Sequence, residues 1–100
     1  MDALSGLEPF FNPASIAVVG ATDAPGKISG VIMDNIAASG FKGRIYPVNP
    51  RHSIVKGLEC HPSISDIKEW IDLAVFAVPA VAVPGALKAS AGKIRAAIVV

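Results

Sequence analysis

A glycine-containing loop with hydroxyl and ammonium groups is the segment of the sequence best suited to binding chemistry. It covers residues 20–30, GATDAPGKISG, directly after a short apolar run. In an open parallel sheet, the first strand-to-helix turn is the usual phosphate site. Free loop amides and the positive end of the next helix could hold a phosphate, with Thr22 and Lys27 as further donors. The spacing matches neither G-x-G-x-x-G nor the P-loop motif, so the alternative stays open that Gly20 only ends a strand and Gly30 only permits helix packing.

The turn Val48-Asn49-Pro50-Arg51 bears on which nucleotide could bind beside that loop. Folds that bind NAD place an acidic residue after the second strand, where it accepts hydrogen bonds from the ribose hydroxyls. No carboxylate stands here. Arg51 could instead meet a phosphate attached to the ribose, as in NADP or in coenzyme A, which carries a 3′-phosphate. The alternative is a solvated arginine after a turn.

A third candidate segment, Val78-Pro79-Ala80, follows the next apolar run. Its proline has a fixed backbone angle and its neighbours are small or apolar, so it could form a wall for an adenine ring or a pantetheine arm. Without the two preceding features, the same residues would only start a helix.

Composition excludes several other functions. The chain of 100 residues carries a net charge of +1 with scattered lysines and arginines, which argues against nucleic-acid binding. The longest uncharged stretch, residues 73–87, is 15 residues long and contains two prolines, whereas a membrane-spanning helix needs about 20 residues. A single cysteine, Cys60, cannot form an internal disulfide, so a cytoplasmic location is predicted. Neither His52 nor His61 has an acidic partner at a catalytic spacing, and we predict no catalytic residue and no metal site.

The elements that must position these segments alternate between strands and helices. Short apolar runs predict buried strands at residues 15–19, 73–78 and 96–100, with a further strand at residues 44–48. Apolar residues at helical spacing predict one helix ending at Gly40 and another ending at Gly92. The prediction is an α/β fold in one domain, residues 1–100, with an open, mostly parallel sheet and helices on both faces. Because nothing covers the last strand, we expect the chain to be the front part of a longer polypeptide.

Taken together, the three segments and their flanks resemble a known family. The stretches FNPASIAVVGAT (11–22), PGK (25–27), GFKGRIYPVNP (40–50) and DLAVFAVPA (72–80) are similar to the N-terminal CoA-binding domain of NDP-forming acyl-CoA synthetases. That group includes ADP-forming acetate–CoA ligase and, more distantly, the succinyl-CoA synthetase alpha subunit. The likeness covers about residues 7–100, and its motifs stand in the family's order.

The resemblance implies a Rossmann-like domain that binds coenzyme A as part of an acid–CoA ligase, with CoA or acyl-CoA and further ligase domains or subunits as partners. The family transfers phosphate through a histidine on a later domain, so this chain alone is expected to be inactive. The family usually has serine where Thr22 stands, which keeps the hydroxyl. The implied CoA-binding positions are Gly20, Ala21, Thr22, Lys27, Val48, Asn49, Pro50, Arg51, Val78, Pro79 and Ala80. Two alternatives stay open: a regulatory domain of a protein acyltransferase, and an NADP-binding domain.

Overall fold

The computed structural model describes residues 13–100, and residues 1–12 of the predicted domain lie outside the described part. The strands are β1 (Ser15–Val19), β2 (Arg44–Val48), β3 (Ile54–Val55), β4 (Leu58–Glu59), β5 (Ile71–Phe76) and β6 (Ile94–Val99), and the α-helices are α1 (Ile28–Ala38) and α2 (Val83–Ser90). Short 3-10 helices cover Ile64–Asp66 and Ala80–Ala82. No helix within residues 13–100 is long and apolar enough to cross a membrane.

The main sheet has four parallel strands in the order β2-β1-β5-β6. After β1 the chain forms β2 on one side of β1, and it then crosses over to form β5 on the other side of β1. The direction of winding therefore reverses between β1 and β5, and a ligand-binding crevice is expected beyond the carboxyl ends of these strands. Val19 pairs with both Val48 and Phe76, so the three strands end at the same level of the sheet.

Apolar side chains fill both faces of this sheet because successive residues of a strand point to opposite sides. Ile16 and Val18 pack with Met33 of α1 on one face, while Ala17 and Phe76 belong to a second cluster that Ala86 of α2 joins. The predicted α/β fold, with an open parallel sheet and helices on both faces, is confirmed.

A small antiparallel hairpin stands beside the main sheet. Strands β3 and β4 pair through Ile54 with Glu59 and Val55 with Leu58. Lys56 and Gly57 form its tip with positive φ angles of 53° and 76°, the backbone that a tight two-residue turn requires. Val55 is fully buried in the cluster that contains Met33, so the hairpin is anchored to the body of the protein near α1.

Candidate functional site

A cleft of about 670 Å³ opens where the carboxyl ends of β1, β2 and β5 meet. Its size suits a small-molecule ligand. The loops that follow these three strands form one side, and the first turn of α1, the chain before Ile64–Asp66 and the inner face of α2 form the rest. The lining residues are Val19, Gly20, Thr22, Lys27, Ile28, Ser29, Val48, Asn49, Pro50, Arg51, His52, Pro62, Ser63, Ile64, Ala77, Val78, Pro79, Ala86 and Ser90.

The loop after β1 turns sharply at Gly20, whose φ is +90°. The amides of Gly20 and Ala21 both donate to the Val48 carbonyl, at 2.8 and 3.2 Å. Those two amides are therefore already used within the protein, contrary to the expectation that the amides of this loop are free. The Ala24 amide donates to Thr22 Oγ1 at 3.2 Å, which leaves the hydroxyl hydrogen of Thr22 available.

Helix α1 begins at the edge of the cleft with its positive end unneutralised. Its N-cap, Lys27, makes no side-chain capping bond, and no acidic residue lies in the first turn. The amides of Gly30 and Val31 donate to the Lys27 carbonyl, at 3.1 and 3.3 Å. The amides of Ile28 and Ser29 have no acceptor within their own helix. Unpaired amides at a helix N-terminus attract anions.

Ser29 is the most unusual polar residue of the cleft. Its side chain is buried, with only 2% of the residue exposed, and its Oγ has no hydrogen-bond partner within residues 13–100. A buried hydroxyl without a partner destabilises a protein by about 1–3 kcal/mol. Because Ser29 lines the cleft at the start of α1, a ligand that accepts or donates there would satisfy this hydroxyl.

Asn49 fixes the turn after β2 against the loop after β1. Its Nδ2 donates to the Ala21 carbonyl at 2.9 Å, and its Oδ1 accepts from the Arg51 amide at 2.9 Å. The Asn49 amide in turn donates to the His61 carbonyl at 2.9 Å. Both ends of the Asn49 side chain are thus occupied, which makes it a structural link between two loops that line the cleft.

The charges around the cleft favour an anion. Elsewhere in the structure Asp34, Glu69 and Asp72 form ion pairs with Lys56, Arg44 and Arg95, respectively. Within residues 13–100 neither Lys27 nor Arg51 contacts a carboxylate. The cleft therefore carries two cations whose charges no acidic side chain of the described chain neutralises.

The wall opposite α1 offers little hydrogen bonding from its side chains. Ser90 Oγ donates to the Ala86 carbonyl at 2.7 Å. Ser63 Oγ lies 2.6 Å from Ser65 Oγ and 3.2 Å from Asp66 Oδ2. Because these hydroxyls are satisfied internally, the wall formed with Pro62, Ile64, Val78 and Pro79 presents a mainly apolar surface, suited to a flat ring or an alkyl arm.

All the predicted binding residues except Ala21 and Ala80 line this cleft. Ala21, in the loop after β1, is fully buried. Ala80 begins a 3-10 helix and does not line the cleft. The sequence reasoning missed Ser29 and the wall formed by Pro62, Ser63, Ile64, Ala86 and Ser90. Its position in the first turn of a helix that follows a glycine-containing loop is a local sequence signal that could have identified Ser29. No local sequence pattern marks the residues of the wall.

The remaining candidates for covalent or metal chemistry are Cys60, His52 and His61. Burial raises the pKa of the Cys60 thiol, and its Sγ lies 3.6 Å from the Asn49 carbonyl. A protonated, buried thiol is a poor nucleophile. His61 packs its ring 5.8 Å from that of Tyr46, while His52 lines the cleft. Among residues 13–100 no three His, Cys, Asp or Glu side chains are grouped to hold a metal ion.

Comparison with known proteins agrees with this geometry. The family described as "CoA binding domain" matches residues 14–100, which include all the strands of the described residues and the lining of the cleft. The chain belongs to this CoA-binding domain family. The predicted resemblance and the predicted ligand, coenzyme A, are thereby confirmed. The donors of the cleft also suit such a ligand, because coenzyme A carries a pyrophosphate and a ribose phosphate that the cations and the first turn of α1 can bind.

Proteins similar to this CoA-binding domain include several ligases. Acetate–CoA ligase (ADP-forming) II of Archaeoglobus fulgidus is 43% identical over 95 residues, covering 94% of this chain and 14% of that protein. The alpha subunit of acetate–CoA ligase (ADP-forming) I of Pyrococcus furiosus is 41% identical, covering 82% of this chain and 19% of the subunit. The chain thus spans less than a fifth of the length of either relative.

A solved structure shares the fold of the domain. The dinucleotide forming acetyl-coenzyme A synthetase 1 of Ca. Korarchaeum cryptofilum, in complex with phosphate and ADP, superposes with a TM-score of 0.80 at 44% identity. The match covers 84% of this chain and 18% of that one.

Proposed function

We propose that this domain holds the nucleotide end of coenzyme A in the cleft, as part of an NDP-forming acyl-CoA synthetase. Such an enzyme interconverts an acyl-CoA, a nucleoside diphosphate and phosphate with the acid, CoA and a nucleoside triphosphate. The observation that carries the proposal is the buried, unpartnered Ser29 hydroxyl at the start of α1, beside Lys27. An anionic ligand would both satisfy that hydroxyl and neutralise that charge.

Each part of the cofactor has a chemically matched part of the cleft. The pyrophosphate would lie at the first turn of α1, where Thr22, Lys27 and Ser29 supply donors. Arg51 would meet the 3′-phosphate, since its guanidinium is free of acidic partners within the described chain. The wall that includes Val78 and Pro79 would take an apolar portion of CoA, its adenine or its pantetheine arm. Roles for Ala21 and Ala80 stay predictions.

The domain's part in the reaction would be to bind and orient. Fixing the nucleotide end restricts where the thiol at the other end of CoA can reach, and holding a reactant in place lowers the entropy cost of the later step. The acyl phosphate and the phosphate-carrying histidine belong, in this proposal, to further ligase domains or subunits. The names of the relatives support a ligase rather than a regulatory domain of an acyltransferase. The cytoplasmic location predicted from the lone cysteine is part of the same proposal.

Three ligands test the proposal in one titration series. We expect the purified chain to bind CoA more tightly than NADP, and dephospho-CoA more weakly than CoA. Arg51→Ala is expected to weaken CoA binding on the order of tenfold, the loss of one charged hydrogen-bonding contact, and to leave dephospho-CoA nearly unaffected. Isothermal titration calorimetry of the wild type and of Arg51→Ala with each of the three ligands measures all six affinities. CoA binding no tighter than NADP binding would refute the proposal, and equal losses for both CoA forms would refute the role of Arg51.

Ser29→Ala separates the role of the buried hydroxyl in binding from its effect on stability. Removing an unsatisfied hydroxyl is expected to stabilise the ligand-free protein by up to about 1 kcal/mol. The same change is expected to weaken CoA binding several-fold, because the phosphate loses a donor. Thermal unfolding with and without CoA measures both effects. A variant that is less stable without ligand would contradict the view that this hydroxyl lacks a partner in the free protein.

A further inference from the structure

The β3–β4 hairpin contacts the loop that we assign to phosphate binding. The Lys56 amide at the hairpin tip donates to Asp23 Oδ1 at 2.8 Å. From residue 22 to residue 27, this is the one hydrogen bond to a distant part of the described chain. No atom of residues 13–100 lies within 4 Å of the position that a Cβ on Gly26 would occupy, so the described chain leaves this part of the segment open. The hairpin therefore provides the main external support for that segment.

The same lysine also reaches helix α1. Its Nζ lies 3.3 Å from Asp34 Oδ2, and its Cε lies 3.7 Å from the point where a Cβ on Gly30 would stand. The Lys56 side chain thus runs along the start of α1 while its amide holds the preceding loop. Val55, fully buried, fixes the hairpin to the core. Lys56 thus links the loop after β1 with α1, the helix whose first turn faces the cleft.

The presence of Asp23 in this loop requires an explanation. A carboxylate near a phosphate site repels the ligand, so it weakens binding unless it serves another purpose. The hydrogen bond that Asp23 accepts from the Lys56 amide is such a purpose, because a carboxylate is a strong acceptor for a backbone N–H.

We propose that Asp23 is a positioning residue, held by the hairpin amide of Lys56 so that the first turn of α1 is ordered before the ligand arrives. The inference rests on the proposed function, since it assigns that turn to the phosphates of CoA. Ordering a binding loop in advance removes part of the entropy cost of binding.

Two substitutions of Asp23 distinguish positioning from electrostatics. Asp23→Asn keeps an oxygen acceptor at the same place and removes the charge, whereas Asp23→Ala removes both. We expect Asp23→Ala to weaken CoA binding on the order of tenfold and to speed amide hydrogen exchange at Gly30 and Val31, whose amides donate to the Lys27 carbonyl. Asp23→Asn is expected to keep the slow exchange and to bind CoA at least as tightly as the wild type. Tighter binding by both variants would mean that Asp23 acts only by repulsion, and unchanged binding and exchange in both would mean that it has no role; either result overturns the proposal.

Asp34→Asn is the matched control, because it removes a carboxylate from the side-chain end of the same lysine. We expect less than a twofold change in CoA affinity and unchanged amide exchange at Gly30 and Val31. A loss equal to that of Asp23→Ala would assign the effect to the ammonium ion pair and overturn the assignment to Asp23. Hydrogen exchange is measured on the ligand-free chain. If the wild-type chain binds no CoA, the proposed function fails, while the exchange data still decide whether Asp23 orders the loop.

Discussion

Replacing Gly20 with alanine is expected to destabilise the protein by about 3 kcal/mol, because the change combines an unfavourable backbone angle with a clash. Gly20 has a φ of +90°, and a Cβ built on it would lie 2.3 Å from the Ala77 carbonyl oxygen. The same Cβ would lie 2.9 Å from a methyl group of Val78. Since the carbonyl belongs to the backbone, the clash cannot be relieved by a side-chain rotation. Denaturant unfolding measures the loss as a lower midpoint at unchanged slope.

Gly26→Ala is the control that separates the two causes. Gly26 also has a positive φ, +78°, but no neighbour in the described part of the chain lies within 4 Å of the position that its Cβ would occupy. We expect a loss of about 1 kcal/mol, from the backbone angle alone. Equal losses for the two variants would show that the close approach of the loop after β1 to the loop after β5 adds nothing to stability.

The Gly20→Ala substitution is also expected to affect ligand binding. Pushing Ala77 and Val78 away from Gly20 would move one wall of the cleft relative to the loop that we assign to phosphate binding. The absence of a side chain at Gly20 is thus what lets the loops after two neighbouring strands close on one another at the point where the winding of the sheet reverses.

Reversing the charge of Lys27 is expected to weaken CoA binding on the order of 100-fold at low ionic strength, since an attractive charged contact becomes a repulsive one. Lys27 stands at the N-cap of α1, where the helix dipole adds to its positive potential. The loss in Lys27→Glu should apply equally to CoA and dephospho-CoA, because both carry the pyrophosphate. It should shrink as salt screens the charges. Titrations at two salt concentrations measure both expectations.

Lys42→Glu provides the matched control for net charge. Lys42 precedes β2 and so lies at the amino end of the sheet, away from the cleft. We expect less than a threefold change in CoA affinity, as for a screened charge beyond about 10 Å. If both reversals weakened binding equally, overall charge and not a contact at α1 would account for the affinity. Together with Arg51→Ala, which should affect CoA but not dephospho-CoA, these variants assign the two phosphate positions separately.

Much of the fold could be predicted from the sequence because the signals are local. The apolar run at residues 15–19 and the apolar spacing from Ile28 to Ile36 correspond to β1 and α1. The strand predicted at residues 73–78 lies at Ile71–Phe76, since pairing with β1 and β6, and not composition, sets where a strand begins and ends. The order of these elements sufficed to predict an open parallel sheet.

The candidate site was predictable only where a motif follows a strand. Gly20, Thr22, Lys27 and Arg51 could be named because loops after parallel strands meet at one edge of the sheet. The wall from Ala86 and Ser90 could not, because it depends on how α2 packs against the chain at Ile64–Asp66. The support of Asp23 by Lys56 joins residues that are 33 positions apart and carry no pattern linking them.

The order of the main-sheet strands and helices, the residue types of the loop after β1 and the family of this protein follow from its sequence alone. Which polar groups of that loop remain available to a ligand depends on its tertiary structure. The amides of Gly20 and Ala21 donate to the Val48 carbonyl, whereas the Ser29 hydroxyl is buried without a partner in the part of the chain that the structure describes. The physical reason is that hydrogen-bond satisfaction depends on which atoms approach from distant parts of the chain, and local sequence does not specify those neighbours.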